Sequence, residues 1–273
     1  MRHGSRIKTS PSCMWKCKSR LPIKLGLPDN TDNMSNQINF TEVPTLEGVK
    51  MWLVDLRQGK GWPWQHMLAD WERERAARFR FEHDARRYLI SHAALRMMLA
   101  EAMSCKPETV PLRTGAQGKP YLEGHPLQFN MSHSGDWALM GWHPDQVIGL
   151  DIETGHHLSD IEILARHNFA LDEKHDVIQA RADERTRVFL TCWTRKEACL
   201  KALGSGLTIE PHVFSAGTHT HASLATLPTE SGARAQMRVQ SIALPDAVFE
   251  AAGETTPYAA LALLNPDSHH LAI

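Results

Sequence analysis

Asp151 and Glu153, alternate residues of the short apolar run IGLDIE, are the first positions whose types and spacing suggest chemistry. Side chains of a strand alternate between its faces, so the two carboxylates point the same way. Side by side they repel unless a proton or a cation lies between them. Magnesium suits such a pair, because it takes a few carboxylates and completes its shell with water and phosphate oxygens. Taken alone, DxE favours the plainer reading of a solvated strand face bearing two acids.

A third acid lies in WTRKEACLKALGSGL, residues 193–207. Glu197 and Lys201 are four apart in a helical pattern and share a face, with Lys196 beside them. As a plain surface ion pair they contribute only about 0.2–0.5 kcal/mol. Trp193, Leu200 and Leu203 anchor the opposite side. A carboxylate from this helix would complete a magnesium site begun on the strand, and the neighbouring lysines would meet the phosphates the metal brings.

Further candidates precede these two motifs. In FNMSHSGDWALMGW (129–142), Ser132 and His133 come just before Gly135, in a turn that presents a hydroxyl and an imidazole outward. Adjacent in sequence, they do not make a nucleophile–base pair, which needs a geometry that only a fold supplies. They read as a phosphate contact or a simple turn. Gly118-Lys119-Pro120 puts a lysine in a tight turn or a solvated loop. Between Glu72 and Arg87, six arginines are interleaved with Glu72, Glu74, Glu82 and Asp84. Most of these read as an exposed, ion-paired face, with one or two left as bidentate phosphate ligands.

The elements that must position these residues follow from periodicity. VKMWLVDL (49–56) is a strand, and 71–103 is a pair of helices broken near His83 and Asp84. Short strands follow in TGAQGKP, FNMSHSG, DWALMGWH and VIGLDIE. Helices return over 160–178 and 183–203, the latter stopped by Gly204 and Gly206. HVFSAG, AQMRVQSIAL, AVFEAA and YAALALLN read as strands. The order strand, long helix, strands occurs twice. It predicts an α/β (α+β) fold of two similar α/β halves, 45–145 and 146–273, forming a pseudo-dimer with the active site in the cleft between them.

The chain has 273 residues and a formal net charge of -1. Such a balance excludes a molecule built as a whole for nucleic acid or an anionic membrane. Five cysteines include no second ligand pair for a metal finger after Cys13 and Cys17, and the reading is a reduced, cytoplasmic protein. Residues 1–40 read as a disordered N-terminal extension, basic and without an acid before Asp29, with Met34 as the natural start; an organelle leader is the other reading.

Taken in order, GKP, FNxSHSG, IGLDIE and WTRKEACLKALGSGL resemble the Sfp-type 4'-phosphopantetheinyl transferase superfamily over about residues 70–210. The resemblance implies transfer of the 4'-phosphopantetheine arm of coenzyme A to a serine of an apo acyl or peptidyl carrier protein, with release of 3',5'-ADP. It implies Mg2+ on Asp151, Glu153 and Glu197, Lys201 near the reacting phosphate, and Glu173 or Glu197 in proton transfer. Lys119, Ser132 and His133 would bind coenzyme A, and Arg75 and Arg87 its 3'-phosphate end. Glu72 stands where some relatives carry a lysine. The chain length fits the monomeric, pseudo-dimeric type. Two other readings are a magnesium-dependent phosphohydrolase and a non-catalytic module that binds coenzyme A or a carrier on the same scaffold.

Overall fold

The computed structural model describes residues 38–57, 64–115, 118–155, 158, 160–206, 208–229 and 231–271. The basic leader lies outside the described residues. Of the segment read as an extension, Ile38 is already buried and Phe40 opens the first strand.

The first half begins with β1 (Phe40–Leu46) and β2 (Val49–Asp55), then α1 (Asp70–Ala76) and α2 (Glu82–Met103). A small hairpin of β3 (Leu112–Thr114) and β4 (Pro120–Leu122) leads to β5 (Gln128–Ser134) and β6 (Trp137–His143). The second half opens with β7 (Ile148–Glu153). It continues through α3 (Ile161–Asn168), α4 (Leu171–Gln179) and α5 (Arg185–Leu203), then β8 (Ser223–Pro228), β9 (Arg234–Ser241), α6 (Asp246–Ala252) and β10 (Tyr258–Leu264).

Two antiparallel sheets result, ordered β1-β2-β6-β5 and β7-β10-β9-β8. In each, a strand before the long helix pairs with the last strand of its half, which pairs in turn with the strand before it. The duplication expected from the order of elements is therefore a duplication of strand pairing. Inward residues of both sheets meet in one core, where Met51, Leu53 and Leu139 pack with Leu150, Ile152 and Leu261. On the other face of the second sheet, α5 lays Ala198, Ala202 and Leu203 against Met237, Val239 and Ala262. Among the described residues, no helix is long and apolar enough to cross a membrane.

Three local expectations need correction. The break between the first two helices falls at residues 77–81, just before Glu82, and not at His83 and Asp84. AVFEAA forms α6 and not a strand: Asp246 favours the helix N-terminus, Gly253 ends it in a left-handed turn, and Phe249 is buried. HVFSAG is also not a strand. A 3-10 turn over Pro211–Val213 precedes a segment whose backbone is held by side chains: Ala216 and Gly217 amides donate to Glu173, and the Ala216 carbonyl accepts from Arg195. With those groups taken, no neighbouring strand can pair there.

Candidate active site

β7 owes its course to its alternation. Ile148, Leu150 and Ile152 enter the central core, while Gly149, Asp151 and Glu153 share the other face. Gly149 is the point of closest approach: a Cβ there would stand 2.0 Å from the Ala198 carbonyl oxygen and 2.4 Å from the Ala202 nitrogen. Only glycine lets the backbone of α5 lie directly on β7. That contact carries the helix bearing Glu197 and Lys201 to the strand bearing Asp151 and Glu153.

Lys201 Nζ donates to Asp151 Oδ1 at 2.5 Å and to Ser132 Oγ at 2.7 Å. The Ser132 hydroxyl donates to the same Asp151 oxygen at 2.9 Å. One strand register further on, Ser134 Oγ donates to Glu153 Oε2 at 2.8 Å and approaches Thr154 Oγ1 at 3.1 Å. In the other direction, Asn130 Oδ1 accepts from the Leu150 amide at 3.0 Å. Polar side chains at every second position of β5 thus bridge the edge strands of the two sheets. Ser134 and Asn130 were missed in the sequence, although the period-two run Asn130, Ser132, Ser134 was the available signal. Ser132 and His133 lie within β5, not in a turn after it, so they point to opposite faces.

Burial pushes Asp151 up to about 7, aided by the like charge of Glu153 and opposed by Lys201. Glu197 is raised as well, by burial first and then by Glu153, again with Lys201 opposing. Asp151 Oδ2 is buried and, among the described residues, accepts no hydrogen bond. An orphaned carboxylate oxygen that feels the charge of Glu153, which in turn acts on Glu197, offers the hard oxygen donors that fit a divalent cation such as magnesium. Among the described residues no three His, Cys, Asp or Glu side chains already converge as a ligand set, and Lys201 covers Asp151 Oδ1.

The remaining candidates are dispersed around this centre. His133 lies below the ordinary imidazole range, because of the protein around it and the charges of Lys201, His92 and Arg87. Arg87 binds Asp136 Oδ1 at 2.8 Å, and Arg75 is exposed on α1. Lys119 reaches α5 instead of solvent: its Nζ donates to the Ala202 carbonyl at 2.7 Å. Burial brings Lys119 down to about 8. The unfolded chain then holds more protons than the folded one between about pH 8 and 10, so this group makes stability rise with pH over that window. Lys119→Met is expected to remove that rise, measured as the urea midpoint at pH 8 and pH 10 for both proteins. Lys196, expected beside the phosphates, is instead buried against Glu173 at 2.6 Å. Glu173, expected in proton transfer, has no exposed surface and accepts from the amides of Ala170, Ala216 and Gly217. The charges acting on Asp151 and Glu197 are those of Lys201 and Glu153, whereas Glu173 faces Lys196.

These features define a two-sheet α/β protein with an acid–lysine–serine centre on the seam between duplicated halves. Comparison with known proteins agrees with that class. The family model described as 4'-phosphopantetheinyl transferase, N-terminal, matches residues 62–144, and that of the 4'-phosphopantetheinyl transferase superfamily matches residues 147–253. The chain is 32% identical over 213 residues to the 4'-phosphopantetheinyl transferase HetI of Nostoc sp., covering 76% of this chain and 86% of that protein. It is 34% identical over 147 residues to the 4'-phosphopantetheinyl transferase psf-1 of Bacillus pumilus, covering 53% and 61%. The human L-aminoadipate-semialdehyde dehydrogenase-phosphopantetheinyl transferase is 27% identical over 194 residues, covering 63% and 60%. The chain belongs to the 4'-phosphopantetheinyl transferase superfamily. It spans 60%, 61% and 52% of the lengths of relatives from Synechocystis, Bacillus pumilus and Thraustochytrium.

Proposed function

We propose that the protein transfers the 4'-phosphopantetheine arm of coenzyme A to a serine hydroxyl of an apo carrier protein, releasing 3',5'-ADP. The observation that carries this reading is the Asp151–Lys201–Ser132 contact, which joins the two halves beside Glu153. Its charges suit a pyrophosphate: one mobile cation, and three carboxylates that call for another. Asp151, Glu153 and Glu197 would hold magnesium, which when bound draws charge from the phosphate under attack.

The residues of the chain divide the remaining work. Glu197, raised by burial and by Glu153, is suited to accept the proton of the incoming serine hydroxyl. Lys201, steadied by Ser132, can turn from Asp151 to meet charge building on the departing phosphate. Ser134 holds Glu153 in place through its hydroxyl. His133, Lys119, Arg75 and Arg87 are proposed for the coenzyme A side of the cleft, Lys119 once released from its carbonyl. The nucleophile belongs to the carrier, so no serine–histidine pair is required of this chain. The acting form is proposed to be a monomer, because both halves of the cleft lie in one chain, and its place the cytoplasm, in keeping with cysteines that show no paired spacing beyond Cys13 and Cys17.

The test is the intact mass of an apo carrier protein incubated with enzyme, coenzyme A and magnesium. The expected result is a gain of one phosphopantetheine, lost when the metal is chelated. Release of product from coenzyme A without any carrier would point to a phosphohydrolase and overturn the proposal.

A further inference from the structure

The halves share more than an order of strands. On α1, Glu72 has no exposed surface. Its Oε2 accepts from the Ala69 amide at 2.8 Å and from Arg96 Nε at 2.7 Å. The same guanidinium donates to the carbonyls of Pro107 and Val110, which bracket a 3-10 turn over Pro107–Thr109. On α4, Glu173 is equally buried, and its Oε2 accepts from the Ala170 amide at 2.9 Å and from Lys196 Nζ at 2.6 Å. That ammonium donates to the carbonyls of Pro211 and Phe214, which bracket a 3-10 turn over Pro211–Val213.

Through Oε2 each half therefore closes the same circuit, while the Oε1 atoms differ, that of Glu72 meeting His92 Nδ1 at 2.9 Å and that of Glu173 the Ala216 and Gly217 amides. A buried acid caps its own short helix, binds a cation on the long helix, and through that cation fixes the turn that follows. Both long helices end on a left-handed residue, Ser104 in α2 and Gly204 in α5. The chemistry does not repeat. Met97 follows Arg96 where Glu197 follows Lys196, and Glu101 in α2 precedes its cap at the interval Lys201 keeps in α5.

We infer that Glu173 and Lys196 are a positioning couple for α5, and that Glu173 takes no part in proton transfer. The half that lacks the site's acidic residue on its long helix keeps the buried acid, so that acid follows the fold and not the chemistry. Glu173 Oε1 already accepts from the amides of Ala216 and Gly217, at 2.7 and 3.0 Å, and Oε2 from Ala170 and Lys196. No lone pair is left for an incoming hydroxyl. What the couple sets is the rotation of α5 about its axis. Glu197 is the next residue after Lys196, and Lys201 lies little more than a turn beyond it.

The turnover arm of the test rests on the transferase reading, whereas the stability arm stands alone. Full-length Glu173→Gln, Lys196→Met and the double variant are compared in melting temperature and in carrier loading across pH. Each single variant is expected to melt about 10 °C lower, the scale of an uncompensated buried charge. Loading should fall by similar factors in both, with the shape of the pH profile unchanged, and the double variant should be no worse than either single. An unshifted melting temperature in Glu173→Gln, with loading lost and a limb of the pH profile removed while Lys196→Met loads normally, would overturn the inference in favour of a base. Should Glu173→Gln fail to fold, Lys196→Arg, which copies Arg96, decides. Recovery above Lys196→Met in stability and loading supports the couple, and no recovery overturns it. An inactive wild type that still shows the coupled melting shifts would sink the transferase reading and leave the couple standing.

Discussion

Asp151→Ala is expected to abolish carrier loading, by about 10³-fold or more, the scale on which removal of a key charge-stabilising group acts. Two consequences converge. The site loses the buried, unpaired oxygen suited to a cation, and Lys201 loses its bond to Asp151 while keeping that to Ser132. Folding should not suffer. Taking away a carboxylate that burial has pushed up to about 7, beside the like charge of Glu153, removes a desolvated charge and a repulsion. Lys201 is partly exposed, so its freed ammonium can turn to water. The measurements are loading by intact mass and melting temperature on the same preparation. Normal loading by this variant would remove Asp151 from the site, whereas lost loading with a collapsed melting temperature would make its role structural.

The second large effect belongs to a residue with no side chain. Gly149→Ala is expected to destabilise the protein by at least about 3 kcal/mol, the upper range for overpacking, because the added methyl meets backbone that cannot rotate away. Its neighbours would be the Ala198 carbonyl at 2.0 Å and the Ala202 nitrogen at 2.4 Å. Any relaxation must lift α5 off β7, and that movement separates Glu197 and Lys201 from Asp151. Loading should therefore fall in whatever protein remains folded. Urea unfolding together with loading per folded molecule checks both parts. A variant of wild-type stability would mean that α5 does not rest on this strand.

The contrast between Asp151 and Gly149 shows what could be read early. The alternation in IGLDIE placed both acids on one face, since a strand has only two faces, and that reading needed no knowledge of neighbours. The stop of α5 at Gly204 was legible because a left-handed residue suits glycine, and it is in place with a φ of 77°. The duplicated order of strand, long helix and strands was also visible, because hydrophobic period identifies elements one at a time. AVFEAA defeated that method: its apolar residues fit both periods, and burial of Phe249 against the first sheet selected the helix. Glu173 and Lys196 defeated it differently. Lys196 was expected beside the phosphates and Glu173 in proton transfer, and burial, which no spacing reports, made them partners of one another.

By itself, then, the sequence determined the periodic features: the strand and helix alternation, the shared face of Asp151 and Glu153, and the family motifs in their order. Tertiary structure alone decided which faces meet. It set Ser132 and Ser134 of one sheet against Asp151 and Glu153 of the other, and laid α5 on Gly149. It gave Lys201 to the site and Lys196 to the interior, though both sit on the same helix. The physical reason is that local periodicity fixes the direction of a side chain relative to its own backbone, whereas a site is made by contacts between backbones distant in sequence.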